Sequence, residues 1–244
     1  MQVYRSLAEI PSDFGPSVVT IGKFNGVHIG HQAMIRQAVA IGQPNNLPVV
    51  VVTFDRHPAA LFAPDRVPAD ITGLERRIDL CRLQGAEVVV VLEFDHALAS
   101  LSPSEFVQQV VVDGLHAQHV VVGEDFRFGS KAAGSVDTLV DLGRERGFSV
   151  TVVADVAPDG SRRVSSSWIR ELLESGDIRT ANELLGRRHA VRGTVVHGEA
   201  RGRLLGYPTA NLGPDSTGYL PGDATYVGWP VSYTHLTLPT NREV

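Results

Sequence analysis

Five short runs rich in valine set the strongest limit on what this chain folds into: residues 18–21, 49–54, 88–92, 119–122 and 150–153. They are continuously apolar instead of alternating, which is how strands buried on both faces of a parallel sheet read. Segments with helical spacing separate them. Over 30–41, Met34, Ile35, Ala38 and Val39 share one face, and over 74–83 Leu74, Ile78 and Cys81 do. Ser102-Pro-Ser-Glu105 opens another helix, with Ser102 as the cap, Pro103 in the first turn and Glu105 completing a capping box. Residues 134–146, 165–174 and 177–185 also read as helices. Strand and helix alternate five times, the pattern of an open α/β sheet with right-handed crossovers.

The chain has 244 residues, roughly one and a half domains at ~150 residues each. With 43% hydrophobic residues it has ample material for a packed core. Its net charge of −5 disfavours duplex nucleic acid as the main partner. Cys81 is the single cysteine, so an intrachain disulfide and a cysteine-based zinc site are excluded, and a reducing, cytoplasmic setting fits. The first ten residues lack a basic n-region and an apolar h-region. No apolar run approaches the ~18 residues of a membrane span, so a soluble protein without a membrane partner is expected. The character changes near residue 187. From His189 onward the chain is glycine-rich and strand-like (191–196), with no further helical period.

Parallel sheets bind ligands beyond the carboxyl ends of their strands. The first valine run leads there into Gly22-Lys-Phe-Asn-Gly26-Val-His28-Ile-Gly30-His31. This matches neither a dinucleotide fingerprint nor a P-loop. It offers a glycine-permitted turn into a helix N-terminus, a natural phosphate site, with two histidines three apart around it. They could donate hydrogen bonds or positive charge to a phosphoryl group. Such a pair also occurs as a solvated or structural feature. A zinc site would need a third ligand, for which His57 is the nearest candidate. Two further loops share the same rim: Gly123-Glu-Asp125-Phe126-Arg-Phe128-Gly129, and Val164-Ser165-Ser166-Ser167-Trp168-Ile169-Arg170, where hydroxyls at a helix start precede a basic residue.

Together these segments resemble the bacterial bifunctional riboflavin kinase/FMN adenylyltransferase family, also called FAD synthetase. The resemblance runs from about Val18 to Trp229 and rests on G-x-F-[D]-G-x-H-x-G-H at 22–31, V-T-F-D-x-H-P at 52–58, G-x-D-F-x-F-G at 123–129 and S-S-[TS]-x-[IV]-R at 165–170. Beyond the boundary, Gly193-Thr-Val-Val-His-Gly198 and Gly206-Tyr-Pro208-Thr209-Ala210-Asn211 resemble the kinase's opening strand and its P-T-A-N motif.

The resemblance implies a Rossmann-like nucleotidylyltransferase unit over 1–186, followed by an incomplete flavokinase β-barrel over 187–230. The first unit would transfer AMP from ATP to FMN, making FAD and pyrophosphate. His28, His31 and Arg170 would be catalytic. Gly22, Phe24, Asn25, Gly26, Gly30, Ser166 and Ser167 would bind ATP, and Phe62, Phe106, Asp125 and Phe128 would line the flavin pocket. Mg2+ would bridge phosphate oxygens. In the kinase segment, Thr209 and Asn211 would hold magnesium-ATP. The implied partners are small molecules: ATP, FMN and riboflavin.

Two departures from the family pattern stand out. Asn25 replaces its aspartate, removing a negative charge beside the phosphates, so a weakened rate and an improvement in Asn25→Asp are expected. Ser167 replaces the usual threonine and keeps the hydroxyl. The segment after 187 is shorter than the ~100 residues common for a small domain, and residues 231–240 resemble a translated sequencing-library adapter. Residues 231–244 are therefore expected to be non-native, 187–230 to hang loosely on the first unit, and kinase activity to be lost. Two other readings stay open: a nucleotidylyltransferase for another phosphorylated substrate, and a flavin- or nucleotide-binding module without catalysis.

Overall fold

The computed structural model describes residues 2–158, 160, 162–199, 206 and 210–231. In chain order its elements are β1 (Gln2–Tyr4), β2 (Ser17–Ile21), α1 (Ile29–Asn45), β3 (Val49–Phe54), α2 (Ala59–Phe62), α3 (Leu74–Leu83), β4 (Val88–Leu92), α4 (His96–Ser100), α5 (Pro103–Phe106) running on into a π-helical stretch (Val107–Gly114), β5 (Ala117–Gly123), α6 (Val136–Arg146), β6 (Ser149–Val153), α7 (Ser166–Glu174), α8 (Ile178–Leu185), β7 (Val195–Val196) and β8 (Asn211–Leu212).

Six strands form one sheet in the order β1-β4-β3-β2-β5-β6, every neighbouring pair parallel. All five valine runs are strands of it. The sixth, β1, pairs with β4 at the edge; it is three residues long and mostly exposed, so it carries no apolar run to read. Helices cover both faces, which is why the central strands are rich in valine instead of alternating with polar residues. On one face Val19, Val50, Val52 and Val90 pack with Phe106, Val107, Val111 and Leu139. On the other, Val51, Val89 and Val91 pack with Ile35 of α1 and Ile78 and Cys81 of α3. The capping box of α5 is present, Ser102 and Glu105 bonding each other's backbone.

The strand order reverses between β2 and β5, and crevices at such a reversal bind ligands. α7 and α8 form a further apolar cluster with Ile71. Several described residues after α8 are fastened to this body, where a loose attachment was expected. Arg187 donates to the carbonyls of Gly26 (2.6 Å) and Val27 (3.2 Å). The His189 amide donates to Asn182, Tyr219 hydroxyl to Glu174, and the Gly222 amide to the Leu173 carbonyl. Among the described residues of this segment, β7 and β8 form one short antiparallel pair.

Candidate functional site

The loop after β2 is shaped by strain and by one polar side chain. Phe24 and Val27 both adopt positive φ (48° and 40°), rare for such residues. Both side chains are buried, Phe24 in the α1–α3 cluster. Gly26 has φ +82°, and a Cβ there would meet Ile71 at 3.1 Å. Asn25 is buried and bridges outward from the loop: its Nδ2 donates to Asp70 Oδ1 at 2.6 Å, and its Oδ1 accepts from the Ile71 amide at 2.9 Å. Ser166 donates to the Asn25 carbonyl at 2.9 Å, tying α7 to the same loop.

His28 caps α1. Its Nδ1 accepts from the His31 amide at 3.4 Å. A neutral imidazole accepting at Nδ1 carries its proton on Nε2, so His28 is a hydrogen-bond donor at its other nitrogen. Its ring stacks on that of His31, centroids 3.7 Å apart. Burial, with Arg187 adding to it, pushes the His28 pKa down to about 4. Burial, then the charge on His28, holds His31 well below the usual imidazole range. Both are therefore neutral at pH 7. Gly30 explains the residue between them: a Cβ there would lie 3.2 Å from His28 Nδ1.

These groups line one cavity of about 700 Å³. Its walls include Gly22, Asn25, His28, Gly30, His31, Ser166, Ser167 and Arg170 from the expected nucleotide set, and Phe62, Phe106, Asp125 and Phe128 from the expected flavin set. Phe24 and Gly26 do not line it, because they support the loop from below. Asn211 lies in the exposed strand β8, away from it, and Thr209 lies outside the described residues. Phe106 and Phe128 are largely buried, so they shape the wall more than they offer free faces. Phe62 is 67% exposed at the rim.

The cavity has two chemically distinct parts. One part receives the N-termini of α1 and α7, whose free amides favour anions. Ser165 is spent as the α7 cap, while the Ser167 hydroxyl makes no hydrogen bond among the described residues. Arg170 is fixed through Nε to the Ala69 carbonyl at 2.6 Å, which leaves its Nη groups without a hydrogen bond among the described residues. Lys23, which the sequence motifs did not single out, also lines the cavity. Neither basic side chain has a carboxylate within ion-pair distance among the described residues. The other part is aromatic. Phe54 and Phe94 meet edge to face at 5.5 Å, and Phe126 stacks on Phe128 at 5.3 Å. Arg163 pairs with Asp125 at 2.9 Å and with Asp155 at 3.1 Å, joining the loops after β5 and β6. Phe54, Phe94, Phe126 and Arg163 were absent from the expected set; the place of Phe54 at a strand's carboxyl end was the available signal.

His28, His31 and His57 do not converge as metal ligands. His57 Nδ1 accepts from the Ala59 amide, its Nε2 faces Lys23, and no group of three metal-binding side chains forms among the described residues. No helix among them is long and apolar enough to cross a membrane.

Residues 10–168 match the FAD synthetase family and residues 185–238 the riboflavin kinase family. The chain is 37% identical over 219 residues to a bifunctional riboflavin kinase/FMN adenylyltransferase of Bacillus subtilis, spanning 89% of this chain and 68% of that protein. It is 40% identical over 216 residues to the protein of the same name from Pseudomonas fluorescens, spanning 87% and 68%. A crystal structure from Streptococcus pneumoniae, described as a macrolide-efflux protein, superposes with a TM-score of 0.80 at 33% identity, over 91% of this chain and 71% of that one.

Proposed function

The chain belongs to the FAD synthetase family, and from that membership we propose that its cavity transfers AMP from ATP to FMN. A phosphate oxygen of FMN attacks the α-phosphorus of ATP, the bond from that phosphorus to the bridging oxygen breaks, and pyrophosphate leaves with the electron pair. The observation that carries the reading is the division of a single cavity. Two basic side chains, Lys23 and Arg170, with no carboxylate in ion-pair distance among the described residues, and two helix N-termini occupy one part and aromatic rings the other, in a chain whose net charge is −5. A polyphosphate fits the first and a flat ring system the second.

In this reading His28 Nε2 donates to phosphate oxygens as a neutral group, and His31 orients it by stacking and by its amide bond to Nδ1. Arg170 offers its free Nη groups and Ser167 its hydroxyl from the other side. Ser166 acts indirectly, through the Asn25 carbonyl. Positioning and charge stabilisation carry most of the catalysis in phosphoryl transfer. Magnesium would enter with ATP: among the described residues the phosphate part presents basic side chains and hydroxyls and no cluster of metal-binding side chains that would hold the ion by itself. Asp125, Phe62, Phe106 and Phe128 form the flavin wall. We place the boundary between the units near residue 186, at the left-handed cap of α8. The segment beyond it carries the riboflavin kinase match, with Thr209 and Asn211 as its magnesium-ATP contacts. A cytoplasmic setting belongs to the same proposal; Cys81 is buried with its thiol pushed up to about 12, hence unreactive.

The test is incubation of the purified chain with magnesium, ATP and FMN. FAD and pyrophosphate in equal amounts support the reading. Bound flavin without product supports a binding module instead.

A further inference from the structure

Lys23 sits directly after Gly22, the residue that follows β2, and its backbone is held there. Its carbonyl accepts from Thr53 at 3.1 Å, and the preceding Gly22 amide donates to Val52. Its side chain reaches the cavity wall shared with His28, His31 and Arg170. There Nζ lies 3.4 Å from His57 Nε2.

The protons on this pair are settled by a third group. His57 Nδ1 accepts from the Ala59 amide at 3.1 Å, and a main-chain N–H can only donate. Nδ1 therefore holds a lone pair, and the imidazole proton is on Nε2, pointing at Lys23. An ammonium cannot accept that hydrogen bond; a neutral amine can. The surroundings agree. His57 faces Lys23 from the β3–α2 loop, His31 from α1, Arg170 from α7 and Asp125 from the loop after β5. Asp70 and Arg77, with Arg56, line a small cleft shared with it. Burial, then the charge of Arg170, holds the amine below the ordinary lysine range, against a weaker opposing pull from Asp125.

We propose that Lys23 is a further phosphate-binding residue, held as an amine by His57 in the empty cavity and charged as the polyphosphate arrives. The inference rests on reading this part of the cavity as a polyphosphate site. On binding, a proton from solvent adds to the Nζ lone pair, and the contact with His57 Nε2–H is exchanged for a phosphate oxygen. Keeping Lys23 neutral beforehand removes its repulsion with Arg170, and charging it afterwards supplies attraction only when the anion is present.

The experiment is calorimetric titration of the full chain with magnesium-ATP, without flavin, in buffers of different ionisation enthalpy at about pH 9, above the titration of imidazole. The wild type should take up about one proton per ATP bound, the linkage expected of a single group whose pKa rises on binding. Lys23→Arg, a permanent cation, should bind ATP with no proton uptake. Lys23→Met should bind at least about tenfold more weakly, also without uptake. Equal proton uptake in wild type and Lys23→Arg overturns the inference alone. A wild type that binds no magnesium-ATP overturns the polyphosphate reading and the inference with it.

Discussion

The side-chain amide of Asn25 donates to the Asp70 carboxylate at 2.6 Å, while its oxygen accepts from the next residue's amide, Ile71 N–H, at 2.9 Å. The loop after β2, which lines the cavity, is thereby keyed to the segment that leads into α3. This pairing changes what Asn25→Asp should do. An aspartate would set two carboxylates in hydrogen-bond contact, a like-charge pair that disfavours ionisation of both. Asn25→Asp is expected to lose about 1–2 kcal/mol of stability and gain nothing in FAD formation. The swapped double variant, Asn25→Asp with Asp70→Asn, should recover most of the loss. Thermal unfolding and FAD assays on the three variants check it.

Gly30 separates stability from activity. Alanine suits a helix better than glycine by about 1 kcal/mol, but its Cβ would crowd the His28 ring at 3.2 Å. Gly30→Ala should unfold no earlier than the wild type yet form FAD at least about tenfold more slowly, since displaced donors lose transition-state stabilisation. Paired melting and rate measurements read the two effects separately.

Arg187, at the boundary after α8, supports the site from behind. The Val27 and Leu185 carbonyls that it bonds also accept from Gln32 at 2.9 and 2.8 Å, so only the Gly26 carbonyl depends on Arg187 alone. Arg187→Ala should cost about 1–3 kcal/mol, the scale of one orphaned buried acceptor. It should also move the His28 titration upward, because the guanidinium is one cause of its depression. Urea unfolding and the acid limb of kcat/KM report these two consequences.

His28 ties folding to pH. Its folded pKa of about 4 lies below the ordinary 6.5, so the unfolded chain binds the proton more readily. The stability concerned is fully present above about pH 6.5 and declines as pH falls toward 4, by up to about 3 kcal/mol. Protonation also removes the Nδ1 lone pair that caps α1. His28→Gln should show a smaller stability loss between pH 7 and 4.5, measured by denaturant unfolding at both values.

Five of the six strands were legible as valine-rich runs, most plainly β2, β3 and β4, which are buried on both faces and need no partner to interpret. The helix starts were legible because caps are local, as Ser102 and Glu105 show. The phosphate loop was recognisable by its glycine and histidine spacing, and most of the residues expected from it line the cavity. Relations between distant residues were not legible. Asn25 meets Asp70 across 45 positions, and Arg187 reaches Gly26 across 161. Phe24 sits within the motif yet serves the core, since positive φ turns its side chain inward. Lys23 meets His57 across 34 positions, a contact that the spacing within the motif does not contain.

The central claim is that the cavity joins AMP to FMN. The most direct measurement supplies FMN and magnesium with ATP labelled at either the α- or the γ-phosphorus and follows both labels. The α label should appear in FAD and the γ label in pyrophosphate, in equal amounts. An α label that never reaches flavin, or a γ label released as inorganic phosphate, would contradict it.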